Sequence, residues 1–185
     1  MKQQWAQVIL GELTNAMGQI DESQLDALTE ELIKPGRRVY CVGVGRVLLS
    51  MKTWVKRMYH LEIDINYVGS ETEPALREGD LLLLASGSGE SVFPVKIGEK
   101  AKSYGAKIVY IGCTPGSSAE RLSDLQVILP GRTKNSGDGG FATIQPMSTL
   151  FEQQLFLLGD ALALEIMERR GLKEADVRAH HANLE

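Results

Sequence analysis

The residues best suited to chemistry form a short polar run, Ser86-Gly87-Ser88-Gly89-Glu90-Ser91, directly after Leu81-Leu82-Leu83-Leu84-Ala85. Its glycines allow positive φ and close backbone approach. Its serines supply hydroxyl donors. A helix opening at the end of the run adds unpaired N–H groups and a positive dipole end. Together these suit a phosphate dianion. The run contains no lysine, and GKS or GKT is absent, so it is not a nucleotide P-loop. A single phosphate ester is the expected ligand.

A second Gly-rich turn, Gly43-Val44-Gly45-Arg46, follows the apolar run Arg38–Val42. It lacks the third glycine of GxGxxG, and Asn66-Tyr67-Val68 offer no acid for a ribose, which argues against a dinucleotide. Arg46 reads either as a ligand to a phosphate or sugar hydroxyl or as a solvated cation at a helix start. Glu152 lies in an otherwise apolar stretch, on the face that carries Leu155, Phe156, Gly159 and Ala163 at 100° per residue. Two readings stand open for it. On a covered apolar face its pKa is raised, the tuning a general base needs. In the helix's first turn it favours the dipole and can face solvent. The histidines are His60, His180 and His181. His180 and His181 are adjacent, so on a helix one can enter a site while the other faces water. They lack the i, i+4 spacing of a metal pair, and no metal or cofactor is expected. A frayed tail is the other reading of this terminus. His60 ends a helix, where the dipole favours an imidazolium.

These residues need elements to hold them. Helical spacing marks Met1–Ile20, with Trp5, Val8, Ile9, Leu13, Met17 and Ile20 near one face. A second helix, capped by Asp21 or Ser23, ends at Pro35-Gly36. Continuous apolar runs mark strands at Arg38–Val42, Ile63–Val68, Asp80–Ala85, Lys107–Ile111 and Gln126–Leu129. Helices fall between them at Val47–Tyr59, Val92–Tyr104 and Ser117–Leu122. A polar loop, Gly131–Gln145, precedes a long helix, Ser148–Arg170, and a short one from Lys173. Loops of that length in a compact domain are more often functional than idle. Strands without polar alternation, separated by helices, predict a parallel sheet covered on both faces. The expected fold is α/β: a three-layer α/β/α sandwich around a five-stranded parallel sheet, with extra helices at both termini. One domain spans 1–185, comprising N-terminal helices 1–34, a sheet core 37–130 and C-terminal helices 148–185.

Composition narrows the function further. The 185 residues carry 20 Lys and Arg against 24 Asp and Glu, a net charge of -4. No basic excess exists to bind a nucleic acid. No apolar stretch approaches a membrane span, and the N-terminus lacks a signal-peptide core, so a cytoplasmic protein is expected. Cys41 and Cys113 sit in separate apolar runs and read as small buried hydrophobes rather than a disulfide or metal site.

The serine-rich run is similar to the SGSGE[ST] loop of sugar isomerase (SIS) domains, which bind phosphosugars. Further segments resemble the 6-phospho-3-hexuloisomerase branch: Gly43-Val44-Gly45-Arg46, Met58-Tyr59-His60-Leu61, Pro130-Gly131-Arg132-Thr133-Lys134, Gln145-Pro146-Met147-Ser148-Thr149-Leu150-Phe151-Glu152-Gln153 and His181-Ala182-Asn183-Leu184-Glu185. The resemblance implies a SIS fold, a cytoplasmic homotetramer or dimer, and a step of ribulose monophosphate metabolism. That step is the metal-free interconversion of a 3-hexulose 6-phosphate and fructose 6-phosphate. It implies that Ser86, Ser88 and Ser91 hold the phosphate with backbone help from Gly87, Gly89 and Glu90. Gly45 and Arg46 would line the sugar side. Glu152 would be the base that shuttles a proton between C2 and C3, and His181 a second acid/base, from a neighbouring subunit if sites are shared. Two departures stand out. Val47 replaces a serine of the family's GAGRSG. Glu71 and Glu73 stand in a usually threonine-rich segment near the expected pocket mouth. The alternatives are an isomerase of another phosphorylated sugar and a non-catalytic phosphosugar-binding protein.

Overall fold

All five apolar runs pair in parallel: β1 (Val39–Val42), β2 (Ile65–Tyr67), β3 (Leu81–Ala85), β4 (Lys107–Gly112) and β5 (Leu125–Ile128). Their order is β2-β1-β3-β4-β5. The computed structural model describes residues 2–133 and 140–184. Helices α1 (Lys2–Met17), α2 (Glu22–Leu32), α3 (Arg46–His60), α4 (Val92–Ser103), α5 (Ser118–Leu122), α6 (Thr149–Arg170) and α7 (Glu174–Ala179) complete the described residues.

The absence of polar alternation has a direct cause: β1 and β3 are buried along their whole length. Successive side chains feed two separate cores. Cys41, Leu81, Leu83 and Val109 pack with residues of α2, α3 and α6. Tyr40, Leu82, Leu84 and Tyr110 pack with residues of α4 and α5. The three-layer sandwich predicted from the sequence is the observed one. Right-handed crossovers explain the layering: α3 carries the chain outward to β2, whereas α4 and α5 carry it the other way, so the two sets cover opposite faces.

The sheet's two edges are protected differently. β2 has only three residues. α2 lies along β5, and Gln24 Oε1 accepts the Ile128 N–H at 2.8 Å.

Trp54 of α3 locks onto α6. Its Nε1 donates to Leu155 O at 2.6 Å. A Cβ on Gly159 would lie 2.5 Å from the Trp54 ring, so the glycine is what admits the indole. We expect Gly159→Ala to cost about 1–3 kcal/mol by overpacking, read as a lower urea midpoint at unchanged slope. An unchanged midpoint would show that the two helices are free to separate.

The predicted apolar face of α1 is only partly covered. Leu13 of that face is buried, whereas Trp5 is 51% exposed. α6 likewise leaves Phe156 (46%) and Leu164 (69%) exposed although its inner face is fully packed. No helix among the described residues is long and apolar enough to cross a membrane.

Candidate active site

The chain reverses direction across the sheet between β1 and β3, so the loops after these neighbouring strands part and leave a crevice. Both Gly-rich turns of the sequence end there. They form a cavity of about 260 Å³ whose walls include Gly45, Arg46, Ser86, Gly87, Ser88 and Ser91. Met147, Ser148 and Glu152 close it from the start of α6, and Val47 and Thr133 add to the lining.

The serine loop is held by its own groups. Gly89 N donates to Ser86 Oγ at 3.1 Å, and Ser86 Oγ donates to Ser91 Oγ at 3.2 Å. Ser91 is the N-cap residue of α4 but makes no capping bond with its side chain. Gly89 has φ 65°, and a Cβ there would fall 2.1 Å from Ser117 Oγ. Glycine is therefore a steric necessity at this position. Gly89→Ala must open the turn, and we expect the phosphate ester anticipated from the sequence to bind at least about tenfold more weakly, since left-handed strain and overpacking each cost about 1 kcal/mol or more. Calorimetric titration checks this; unchanged affinity would remove the turn from the binding site.

Glu90 behaves differently from its neighbours. Its N–H donates to Ser88 Oγ at 3.2 Å. Its carboxylate turns away from the cavity to accept the Ser118 N–H at 2.8 Å, and this bond lowers its pKa.

Glu152 resolves the choice left open by periodicity. It is 7% exposed, in the first turn of α6. Its surroundings combine the two open readings: it is covered, yet polar groups reach it. Arg46 Nε donates to Oε2, Ser148 Oγ donates to Oε1 at 2.9 Å, and Ser50 Oγ donates to the Glu152 carbonyl at 2.8 Å. Arg46 combines both readings given for it: its side chain is 65% exposed, yet it pairs with Glu152 and lines the cavity. On the other side of this ion pair lies a second cavity of about 330 Å³, bounded by Leu49, Ser50, Thr53 and Phe156.

His181 is not brought to the cavity of its own chain. Its ring centroid lies 5.4 Å from that of His60, the last residue of α3. Arg46 begins that helix fourteen residues earlier, about 21 Å away at a rise of about 1.5 Å per residue. His180 Nε2 approaches Glu62 Oε1 at 3.7 Å. The tail thus packs at the base of the sheet. His60 is buried and its pKa is lowered, first by burial and then by Lys56 and Arg57. The expected helix-dipole stabilisation of an imidazolium does not prevail there. A larger hollow of about 820 Å³ also lies at the base, lined by Arg38, Asp64, Arg77, Asp80 and Arg170 among others. It contains none of the site residues named above.

Cys41 is buried as expected, with its thiol pushed up by desolvation. Cys113 is only partly buried, against expectation, and burial pushes its thiol up to about 12. Among the described residues, no group of three or more His, Cys, Asp or Glu residues could hold a metal ion. The loop expectation for 131–145 falls partly on residues 134–139, outside the described residues.

No family model matches the chain. Individual relatives do. The chain is 37% identical over 177 residues to the 3-hexulose-6-phosphate isomerase of Bacillus subtilis (strain 168), covering 96% of this chain and 95% of that protein. It is 33% identical over 178 residues to the 3-hexulose-6-phosphate isomerase of Mycobacterium gastri, covering 96% and 88%. The chain belongs to the 3-hexulose-6-phosphate isomerase family. A solved structure from Methanococcus jannaschii, whose description infers the function of a 3-hexulose-6-phosphate isomerase, superposes with a TM-score of 0.83 at 28% identity, over 98% of this chain and 99% of that one. The fold is of the SIS type.

Within this isomerase family frame, the two departures have distinct outcomes. Val47 lines the cavity and presents methyl groups where the family pattern has a hydroxyl. A Cβ on Gly43 would lie 3.1 Å from Val47 Cγ1, so the valine packs on the first Gly-rich turn. Glu71 and Glu73 were expected near the pocket mouth, but neither lines the cavity. Glu73 folds back to accept the Gly69 N–H at 2.7 Å within its own turn.

The residues that sequence reasoning did not assign to the site include Ser50, Thr133, Met147 and Ser148. Ser148 was legible only as a possible helix start. Met147 adopts φ 56° without being glycine, for which no sequence signal exists.

Proposed function

We propose that the protein interconverts a 3-hexulose 6-phosphate and fructose 6-phosphate by proton transfer through an enediol. The observation that carries this reading is the shared cavity: a serine-rich anion loop and a buried carboxylate face each other across a space of about 260 Å³. Ser86, Ser88 and Ser91 hold the phosphate. Glu152 removes the proton from C2, and the C–H electron pair becomes the C2=C3 double bond while the C3 oxygen gains a proton. Glu152 then returns its proton to C3, the O2 hydroxyl loses its proton and C2 becomes the carbonyl. Arg46, already beside Glu152, stabilises charge on the reacting oxygens.

A second acid/base must move the protons between the two oxygens, and we assign this to His181. Because His181 packs against His60, at the far end of α3 from Arg46 and the cavity of its own chain, it acts from another copy of the chain. Exposed Leu49, Phe156 and Leu164 support self-association through the α3–α6 surface, in a dimer or tetramer. On this reading the reaction belongs to ribulose monophosphate metabolism and the enzyme works in the cytoplasm.

The deciding experiment incubates the full chain with 3-hexulose 6-phosphate and follows fructose 6-phosphate by a coupled dehydrogenase. Turnover is expected. Binding of fructose 6-phosphate without turnover of any hexulose phosphate would overturn the isomerase reading in favour of a phosphosugar-binding protein. Light scattering, run in parallel, is expected to give a mass above the 20.3 kDa of one chain; a monomer would remove His181 from the mechanism.

A further inference from the structure

Glu12, on α1, is far in sequence from every residue of the cavity and has no part in the proton transfers above. Its carboxylate nevertheless collects three donors from three consecutive residues. Thr143 Oγ1 donates to Oε2 at 2.6 Å, Ile144 N donates to Oε1 at 2.8 Å and Gln145 Nε2 donates to Oε2 at 2.9 Å. Apolar contacts continue the attachment, since Leu13, Ala16 and Ile9 pack with Phe141 and Leu150.

The segment so held leads straight into the site. Pro146, Met147 and Ser148 follow, and the last two line the cavity. Met147 sits at φ 56°, which costs energy for a residue with a side chain and persists only where the surroundings enforce it. Restraint comes from both sides. Downstream, Thr149 bonds back to the Pro146 carbonyl through its N–H at 3.2 Å and its Oγ1 at 2.7 Å. Upstream, the fixed point is Glu12. The product of this bend is the position of Ser148, whose hydroxyl holds one oxygen of Glu152.

We propose that Glu12 is a positioning residue: it anchors 143–145 so that Met147 keeps its bend and Ser148 holds the Glu152 carboxylate toward the cavity. The effect on turnover rests on Glu152 being the base, as proposed above; the anchoring itself does not. A carboxylate is required because both oxygens must accept. An amide in its place would turn an NH2 group toward either the Ile144 N–H or the Gln145 amide.

The test compares the wild-type full chain with Glu12→Gln and Thr143→Val. Thr143→Val deletes one of the three bonds, together with the 3.0 Å bond that Thr143 Oγ1 accepts from the Gln145 N–H, leaves α1 unaltered and keeps the question answerable if Glu12→Gln does not fold. Hydrogen exchange of amides 143–149 is measured first, because it is independent of any substrate. We expect at least about tenfold faster exchange there in Glu12→Gln, and less in Thr143→Val, with amides 86–91 unchanged. In the isomerase assay, kcat should fall about 10–100-fold, as misplaced catalytic groups do, while KM, governed by the serine loop, stays within about twofold. Wild-type exchange in 143–149 for both variants would overturn the proposal. So would exchange raised evenly over the whole chain, or a rise in KM with kcat unchanged. If the wild type turns over no hexulose phosphate, the functional reading fails and the exchange result alone decides the role of Glu12.

Discussion

Glu152→Gln is expected to lower kcat for hexulose phosphate isomerisation by about 10³-fold, within the range attributed to a positioned general base. The amide keeps the size of the side chain and can still accept from Ser148, so the geometry of α6 survives. What it loses is the ability to take a proton from carbon. The ion pair with Arg46 is lost too, but Arg46 is 65% exposed and such pairs contribute little to stability. The variant should therefore unfold at nearly the wild-type urea concentration and bind fructose 6-phosphate with similar affinity, because the serine loop is untouched. A variant with wild-type kcat would exclude Glu152 as the base. One that no longer binds fructose 6-phosphate would make Glu152 part of the binding site instead.

The largest effect on stability is expected far from the cavity, at Glu31. Its side chain is 6% exposed and accepts from Lys34 at 2.5 Å, Arg37 at 2.7 Å and Lys107 at 2.9 Å. Burial alone would raise its pKa. The bonds from Lys34, Lys107 and Arg37 outweigh that and bring it from 4.5 down to about 2. A carboxyl whose pKa is depressed on folding stabilises the folded state above its unfolded value and ceases to as pH falls through the folded one. The window here runs from 4.5 down to about 2, and the contribution at neutral pH is about 3 kcal/mol. Glu31→Ala should cost about 3–5 kcal/mol at pH 7, because Arg37 keeps its bond to the residue 31 carbonyl but is left half-buried without a charge partner. Urea unfolding at pH 7 and at pH 2.5 checks both statements: the gap between wild type and variant should shrink markedly at the lower pH. A gap independent of pH would mean that Glu31 acts by packing rather than charge.

The sheet was legible because its strands are buried on both faces and so read as unbroken apolar runs. Leu81–Ala85 is the plainest case. The serine loop was legible for a related reason: Gly and Ser cluster where a buried strand must give way to a helix, and Gly89 is confined by Ser117 and Tyr110 as its composition suggested. Glu152 was located, but its environment was left open between two readings. Periodicity assigns a residue to a face and says nothing about which distant polar groups arrive there, and Arg46 and Ser50 come from another helix. Glu12 was invisible for the same reason. Along α1 it is merely a polar residue between Gly11 and Leu13, and its three partners lie more than a hundred residues away. The apolar face of α1 was overstated because helical spacing cannot tell a residue covered by its own chain from one left outside, as Trp5 is.

The protection of the sheet margins limits how copies of this chain can meet. A three-residue strand on one side and α2 laid along β5 on the other leave little main chain free to zip onto a neighbouring molecule. Continuous intermolecular sheets, and the fibrous aggregation they seed, are thereby disfavoured. Any association must be built from side chains on helices, which makes it tunable by single surface substitutions and separable from the folding of each protomer.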